Sequence, residues 1–388
     1  MFLDRSILYR LVGSGNHHYP KSRMVVGRRG SRNFCRPDRR PPLFGVGTAR
    51  SGSRRRPELK AEHKSPLALS RVSRAVALLL SLSTHAALAQ TAVHIYDDND
   101  FFNFWEPIAS RPDVDYTQGL QIALTWSAST PHMLHRLGHG KACGDATPRS
   151  ESCSRLSLGV GQDIYTPWYD VPPPGVADHP YAGWLYLRGE ARQENDGRLD
   201  AFSVTVGVTG PPSLAGAAQN AWHELFGFRT LDGWSAQLPF EPGVVVGYEG
   251  ARQVLATGTD GLGIRVVPRW NIRLGNITTN ADIGGDVVVG LRPPPPWSTP
   301  RWDRRHPFGV FVRASVVGMV VLRDEFLDGS TFSASPHVQK KTFVGVASAG
   351  LGVRIGRVIL EWQAHDQSLT FETQPEPHLF STLSVTVQ

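Results

Sequence analysis

The stretch Ile95–Leu120, IYDDNDFFNFWEPIASRPDVDYTQGL, indicates how this chain folds. It begins as a strand that ends in the acidic cluster Asp97–Asp100, crosses a polar loop and re-enters a strand at YTQGL. Two strands joined in this way form a β-hairpin, in which the end of the first strand lies beside the start of the second. We therefore expect Asn99 and Asp100 to face Thr117, so that a polar site forms at one end of a sheet.

Similar segments of about ten residues, with partial alternation of apolar and polar residues, recur to the end of the chain. Their even number, after an export signal, is typical of an outer-membrane barrel. The sequence thus predicts an all-β fold, a twelve-stranded antiparallel transmembrane β-barrel; periodicity alone leaves a soluble β-sandwich open. The twelve predicted strands are 92–101, 116–127, 155–165, 181–193, 199–209, 242–253, 261–273, 281–292, 308–322, 340–355, 357–368 and 379–388.

The first quarter of the chain differs in composition from the rest. Residues 1–74 carry 18 Lys+Arg against four Asp+Glu, with no sustained apolar period. A basic, apolar and small-residue order over residues 72–89 is typical of a signal peptide cleaved after Ala89. We therefore interpret residues 1–71 as a disordered basic extension or as sequence upstream of the true start, and residues 90–388 as the barrel.

The net charge and the cysteine content are informative about function only for the predicted exported part, residues 90–388. Residues 90–388 hold 23 Lys+Arg and 30 Asp+Glu, a net charge of −7, so the overall pI of about 9.5 is no argument for nucleic-acid binding. Cys143 and Cys153 remain in the exported part. Their position in a Gly/Ser/Pro-rich loop favours a disulfide over a metal pair.

Connection lengths test the barrel prediction. With a periplasmic N-terminus, even-numbered connections should be short and odd-numbered ones long. Four of the odd connections, 102–115, 166–180, 210–241 and 323–339, are long, whereas residues 195–198, 256–260 and 356 form short even ones. Two even connections break the rule, namely 128–154 and the Pro-rich 293–307.

A helix is predicted within the third odd connection, from Ser213 to a stop at Gly227. Gln219 and His223 are four residues apart, so they share one face of this helix. A histidine held by a polar neighbour suits acid–base chemistry near neutral pH, which makes His223 the candidate base. The alternative is that His223 only packs structurally.

The acidic cluster supplies hard oxygen atoms, which suit Ca²⁺. Because strand residues alternate in facing, either Asp98 with Asp100 or Asp97 with Asn99 points inward; we take Asp98 and Asp100 as candidate metal ligands. The alternative is a charged strand end in water. Thr117 is either a hydrogen-bond donor to a developing oxyanion or simply a good β-former.

The sequence contains no G-x-S-x-G, H-E-x-x-H or phosphate-loop motif. It does contain a series of short motifs whose order and spacing are specific. The chain resembles the outer-membrane lipid A 3'-O-deacylase family over most of residues 92–387. The matching pieces are Asn99-Asp100 with Phe102, Tyr116-Thr117 with Gly119-Leu120, Gly161-Gln162 with Tyr165-Thr166-Pro167, His179 to Tyr186, Gly210-Pro211 with Gln219 and His223, Gly233-Trp234 with Gln237-Leu238, Glu241-Pro242, Gly275-Asn276 and Leu327-Asp328-Gly329.

The resemblance implies an outer-membrane esterase that removes the 3'-linked acyloxyacyl group from lipid A with Ca²⁺ as cofactor. By the same resemblance, His223 is the general base, Asn99 and Asp100 are the active-site pair, and Thr117 is the hydroxyl residue. The expected partners are lipid A and outer-membrane lipids but no nucleic acid, and the expected state is a monomer. Thr117 as a nucleophile is the less favoured variant, since no second base is visible beside it.

The chain departs from the family pattern in places. A carboxylate expected a few residues after the histidine is absent, because Phe228-Arg229-Thr230 occupy that stretch; Glu224 and Glu241 are the possible substitutes. The chain also lacks the C-terminal aromatic residue usual in such barrels. Rival interpretations are an outer-membrane phospholipase, which would use a Ser–His pair, and a catalytically silent or porin-like barrel.

Overall fold

The computed structural model describes residues 91–105, 114–129, 141–144, 147–148, 150–169, 174–258, 261–297 and 307–388. The predicted basic extension and signal peptide lie outside these residues and stay predictions. The described part contains twelve long strands, each within a few residues of a predicted one. They are β1 (Thr91–Asn99), β2 (Asp115–Ser127), β3 (Cys153–Thr166), β4 (Ala182–Glu194), β5 (Arg198–Thr209), β6 (Pro242–Arg252), β7 (Leu262–Gly275), β8 (Thr278–Leu291), β9 (Phe308–Asp324), β10 (Phe343–Ile355), β11 (Val358–Gln367) and β12 (His378–Val387).

The twelve strands form a closed antiparallel barrel. Each strand pairs with the next along the chain, and β12 returns to pair with β1 from Val93↔Val387 to Asn99↔Ser381. Two-residue strands, Lys141–Ala142 and Leu255–Ala256, pair with β3 and β7. Closure leaves no long edge of unpaired backbone groups, which is what a sheet needs to cross a bilayer. The predicted twelve-stranded barrel is confirmed.

Side chains alternate between an apolar exterior and a polar lumen. On the exterior, Leu158 and Leu187 are 53% and 52% exposed. The lumen holds a cavity of about 660 Å³ lined by charged residues. Arg313 Nε lies 2.6 Å from Glu361 Oε1, and Arg188 Nη2 lies 3.0 Å from Glu190 Oε2. An apolar outer face around an ion-paired interior is the pattern of a membrane barrel.

Residues 293–297 of the Pro-rich β8–β9 connection, an exception to the length rule, lie at the end of the barrel where β1 begins and β12 ends. Its Pro293 carbonyl accepts a hydrogen bond from Arg265 Nη2 at 3.0 Å. Trp297 packs against Leu199, Ala251 and Val267. The indole of Trp297 also donates to the Asn195 carbonyl at 2.8 Å. Residues 294–297 therefore line this end of the lumen cavity.

The other exception, the β2–β3 connection, is tied to the start of β3 by the predicted disulfide between Cys143 and Cys153. Both sulfur atoms are used in this bond, so these cysteines and the nearby Glu194 do not form a thiolate metal site. Among the odd connections, the β7–β8 turn holds only Asn276 and Ile277. The other odd connections are longer, as predicted for the opposite end of the barrel, which we call the loop end.

The predicted helix is present in the β5–β6 connection as α1, Ala215–Phe226. It begins later than expected, because Ser213 ends a 3-10 turn and Leu214 has a left-handed φ of 60°. It ends at Gly227 with φ 74°, as predicted. A short helix α2, Glu325–Asp328, follows β9. No helix in the described ranges is long and apolar enough to span a membrane.

Helix α1 lies on the outside of the barrel wall. Ala215 packs against Ile164, whose side chain lies on the exterior face of β3. Gln162 Nε2, on the same face, donates to the Ser213 carbonyl at 2.6 Å. Gly183 permits this close approach, since a β-carbon there would lie 2.2 Å from that of Ala215. The helix therefore holds its buried face against β3 and β4 at the loop end.

Candidate functional site

The end of β1 and the start of β2 meet at the loop end, as the sequence predicts. Asn99 pairs with Gln118, one residue beyond Thr117. Asn99, Asp100 and Thr117 are all buried, at 7%, 2% and 4% exposure. The Asn99 side-chain oxygen accepts from the Phe101 amide at 2.8 Å, which caps the 3-10 turn Asp100–Phe102. This cap turns the chain away from the strand directly at Asp100.

Thr117 lies at an irregularity in the sheet. The β2–β3 register shifts between Tyr116 and Gln118, so Thr117 is the extra residue of a bulge. Its hydroxyl lies 2.5 Å from the hydroxyl of Thr166 at the end of β3. Within the described residues, no histidine forms a hydrogen bond with the Thr117 hydroxyl. Its environment is that of a polar hydroxyl held by a second hydroxyl.

The two predicted metal ligands, Asp98 and Asp100, have different partners. Asp98 accepts hydrogen bonds from Tyr116 Oη at 2.9 Å and from Thr382 Oγ1 at 2.5 Å, and Thr382 lines the lumen. Asp100 Oδ1 lies 2.9 Å from His378 Nε2. The two carboxylates are therefore held by different side chains, and their pairing as calcium ligands stays a prediction.

His223 is buried on the inner face of α1 together with Gln219, at 7% and 2% exposure. Its Nδ1 lies 2.5 Å from the carbonyl oxygen of Arg229. Because a carbonyl oxygen can only accept, Nδ1 carries the proton in this contact, and the lone pair of the neutral ring is at Nε2. Gln219 accepts from the indole of Trp234 at 3.0 Å, which fixes the neighbouring turn of the helix.

An aromatic contact joins the Asp100 turn to the His223 helix. Phe101, the residue after Asp100, packs against Trp222 with ring centroids 6.1 Å apart and against Phe226 at 5.4 Å. Trp222 directly precedes His223 in the helix. The four predicted site residues therefore lie at the loop end, on the strand ends and on the helix that packs outside them.

A family model described as "Outer membrane protein LpxR" matches residues 74–388. The chain belongs to the LpxR family. The structure of LpxR from Salmonella typhimurium is similar over 76% of this chain and 99% of that chain, with 18% sequence identity and a TM-score of 0.60. No curated protein sequence matches the chain.

Two autotransporter domains are also similar to the barrel. The β domain of the Bordetella autotransporter BrkA has 10% identity and a TM-score of 0.36, covering 77% of this chain and 98% of its own. The translocator domain of NalP from Neisseria meningitidis has 11% identity and a TM-score of 0.33, covering 83% and 95%. These values are too low to support any statement about this chain.

The LpxR family is the outer-membrane lipid A 3'-O-deacylase family, so the chain is a carboxylic ester hydrolase of the bacterial outer membrane that acts on lipid A. Glu224 and Glu241 are the two possible substitutes for the carboxylate that the sequence lacks after His223. Glu224 is exposed on α1. Glu241 is buried and bonded to Asn276, Ser330 and Thr331. The backbone carbonyl of Arg229 contacts Nδ1 of the histidine.

Glu241 belongs to a second polar cluster at the loop end. Burial would raise its pKa, but hydrogen bonds from Ser330, Thr331 and Asn276 outweigh this effect and hold the pKa below its usual value. Burial, together with the charge of Glu241, raises the pKa of the nearby Glu325 to about 7. One carboxylate is thus held ionised, while the other is poised near neutrality.

Sequence reasoning missed a buried network that touches Asp100 in this LpxR-family barrel. His378 begins β12 and lies between Asp100 and Asp115, at 2.9 Å from Asp100 Oδ1 and 3.5 Å from Asp115 Oδ2. His179 and Gln374 also contact Asp115, at 3.6 Å and 3.1 Å. Barrel closure could have revealed it, since pairing the last strand with the first brings the start of β12 beside the end of β1.

Proposed function

We propose that this chain hydrolyses the 3'-linked acyloxyacyl ester of lipid A by a water molecule that His223 activates. The observation that carries this mechanism is the 2.5 Å contact between His223 Nδ1 and the Arg229 carbonyl. It fixes the tautomer whose Nε2 can accept a proton. The contact orients the ring through a neutral acceptor.

In the proposed reaction, His223 Nε2 takes a proton from water as the water oxygen attacks the ester carbonyl carbon. The resulting tetrahedral species carries negative charge on the former carbonyl oxygen. As the ester C–O bond breaks, the imidazolium returns the proton to the departing sugar oxygen. The products are a free acyloxyacyl acid and lipid A with a free 3'-hydroxyl, so the consumed water accounts for all atoms.

Ca²⁺ is the cofactor that we propose for this site. Asp100, Asn99 and Thr117 supply carboxylate, amide and hydroxyl oxygens, the donor types that Ca²⁺ prefers. Asp98 fits less well, because hydrogen bonds from Tyr116 and Thr382 already occupy both of its carboxylate oxygens. Ca²⁺, when bound, stabilises negative charge on the carbonyl oxygen. We propose that Asp100 is the principal protein ligand and that the enzyme acts as a monomer.

The phospholipase alternative has little support in the contacts. A Ser–His pair does occur, with Ser348 Oγ 2.8 Å from His365 Nδ1. Both residues line the lumen cavity rather than the membrane-facing wall, so a membrane lipid does not reach them. Thr117 as nucleophile is equally unsupported, because its hydroxyl is buried against Thr166.

The test of this function is mass spectrometry of lipid A from cells that express residues 72–388, with an empty vector as control. We expect the mass to fall by one acyloxyacyl group when Ca²⁺ is supplied and to stay unchanged when Ca²⁺ is chelated. Gel mobility with and without heating shows that the barrel is folded. An unchanged lipid A mass from a folded barrel would contradict the proposal, and release of phospholipid fatty acids alone would favour a phospholipase.

An aromatic strip beside the site gives the acyl chains of the substrate a surface. Trp362 lies on the exterior face of β11, between the lumen-lining Glu361 and Gln363. Its indole donates to the Phe102 carbonyl at 3.1 Å. The rings of Phe104 and Trp105 lie 6.0 Å and 5.8 Å from the Trp362 ring, and they are 60% and 40% exposed. The strip is continuous with the Asp100 turn.

We expect Phe104→Ala and Trp105→Ala to raise KM for lipid A about threefold to tenfold, since each removes about 1 kcal/mol or more of apolar contact. The kcat should stay within about twofold, because neither ring touches the reacting ester. Phe343→Ala is the matched control, an aromatic residue 76% exposed at the loop end of β10. A KM change of equal size in Phe343→Ala would show a general membrane effect instead.

A further inference from the structure

His378 stands between two buried carboxylates that belong to different strands. Its Nε2 lies 2.9 Å from Asp100 Oδ1, and its Nδ1 lies 3.5 Å from Asp115 Oδ2. The three residues are 1%, 2% and 3% exposed. At that burial the imidazole does not touch a substrate that approaches from the membrane, so any part it takes in the reaction passes through Asp100.

Two side chains besides His378 hold the Asp115 carboxylate in place. Gln374 Nε2 donates to Asp115 Oδ2 at 3.1 Å, and His179 Nε2 lies 3.6 Å from Asp115 Oδ1. Its backbone has φ 60°, a conformation that Asp tolerates better than most residues. Asp115 is therefore an anchored carboxylate on β2, two residues before Thr117.

Aromatic rings enclose the network on several sides. His378 meets Phe380 and Trp168 edge-on, at 5.4 Å and 6.3 Å between ring centroids. His179 stacks on Tyr165 at 5.4 Å. This packing leaves the imidazole of His378 little freedom to turn away from either carboxylate.

Asp100, by contrast, is the first residue of a short 3-10 turn at the point where β1 ends. A carboxylate at such a position keeps rotational freedom unless a partner fixes it, and a buried carboxylate needs such a partner to offset desolvation. His378 supplies one from β12, across the seam where the last strand pairs with the first. Asp100 Oδ2 also accepts a longer hydrogen bond from the Val114 amide, at 3.5 Å, and the shorter contact with His378 forms only in the closed barrel.

We propose that His378 is a positioning residue for lipid A deacylation, which holds the Asp100 carboxylate in its working orientation by bridging it to the anchored Asp115. This inference rests on the proposed function, since it needs Asp100 to act in the reaction. Without the His378 imidazole between them, the Asp100 carboxylate can shift relative to Asp115 by a fraction of the side-chain length. A misplacement of about 1 Å near reacting groups costs about a hundredfold in rate.

The test is a double-mutant cycle in the full barrel, with kcat and KM measured on purified lipid A. We expect His378→Ala to lower kcat about a hundredfold with KM nearly unchanged. His378→Gln should recover part of this loss, because its amide can donate to Asp100. In an Asp100→Asn background, His378→Ala should cause little further loss, since the residue through which it acts has already been changed.

The matched control is His365→Gln, which changes another histidine that packs on Phe380, at 4.7 Å, but contacts Ser348 and Thr382 instead of Asp100. We expect it to keep wild-type kcat. Gel mobility before and after heating identifies folded barrels, and His378→Gln decides the question if His378→Ala does not fold.

Different failures have different meanings. Equal losses from His378→Ala in both backgrounds, or a loss confined to KM, would overturn the positioning role. Full activity of His378→Ala beside an inactive Asp100→Asn would overturn it as well, while leaving the proposed reaction intact. Full activity of Asp100→Asn would remove the part of the proposed mechanism on which the inference stands.

Discussion

Changing His223 to Ala is expected to lower kcat for lipid A deacylation about a thousandfold, the range that a lost general base produces. KM should change little, because the ring makes its main contribution to the proton transfer rather than to holding the acyl chains. The measurement is lipid A mass spectrometry for turnover in cells, followed by initial rates with purified enzyme at saturating Ca²⁺.

The control for His223→Ala is His337→Ala. His337 is an exposed histidine of the β9–β10 connection, also at the loop end, and its Nδ1 contacts the nearby Ser335 carbonyl at 3.1 Å. It should retain wild-type turnover. A His223→Ala barrel that is folded and deacylates lipid A at the wild-type rate would remove His223 from the mechanism and favour a different base.

Much of the barrel follows from sequence because its determinants are local. A strand that faces lipid on one side and a polar lumen on the other must alternate apolar and polar residues. This alternation makes strands recognisable from sequence, as in Val204 to Thr209 and Leu383 to Val387. Helix α1 is visible for the same reason, since its Ala-rich turn and its stop at Gly227 are sequence features. Its start shifted because Leu214 takes a left-handed backbone that no local pattern predicts.

The candidate site follows from sequence only in part. Hairpin geometry and family resemblance together place Asn99, Asp100 and Thr117, but they say nothing of a partner 278 residues away from Asp100. The contact with His378 exists only because β12 pairs with β1. The contact of the Arg229 carbonyl with His223 cannot be predicted from sequence either, because every residue type carries the same backbone acceptor. What sequence reasoning misses here is tertiary closure and backbone chemistry.

The largest expected effect on stability comes from Glu241. Its side chain is fully buried and accepts hydrogen bonds from Asn276 Nδ2 at 2.7 Å, Ser330 Oγ at 2.6 Å and the Thr331 amide at 2.7 Å. These donors come from the β7–β8 turn and the β9–β10 connection, while Glu241 itself leads into β6. One carboxylate therefore ties together three parts of the loop end.

Glu241→Ala is expected to destabilise the barrel by about 3 kcal/mol or more, since it leaves several donors without their charged acceptor and each such bond contributes about 1.5–3 kcal/mol. Glu241→Gln keeps an acceptor oxygen and should lose less. The measurement is the temperature at which the compact gel band converts to the heat-denatured band. If Glu241→Gln keeps wild-type kcat while melting earlier, Glu241 holds the loop end together and does not orient His223.

The pH dependence of this stability has a defined sign. Because the folded pKa of Glu241 lies below its usual value of 4.5, its contribution is present above pH 4.5 and is lost as the pH falls through the folded pKa. Wild type should therefore melt progressively earlier in acid, whereas Glu241→Gln should lose this part of the dependence. An acid response equally steep in both proteins would assign the effect to other carboxylates.

The pKa of Glu325 is raised instead, to about 7, so its contribution to stability has the opposite pH dependence. That contribution is lost as the pH rises through neutrality. The loop end should thus be most stable between these two titrations, because Glu241 is then ionised while Glu325 still holds its proton.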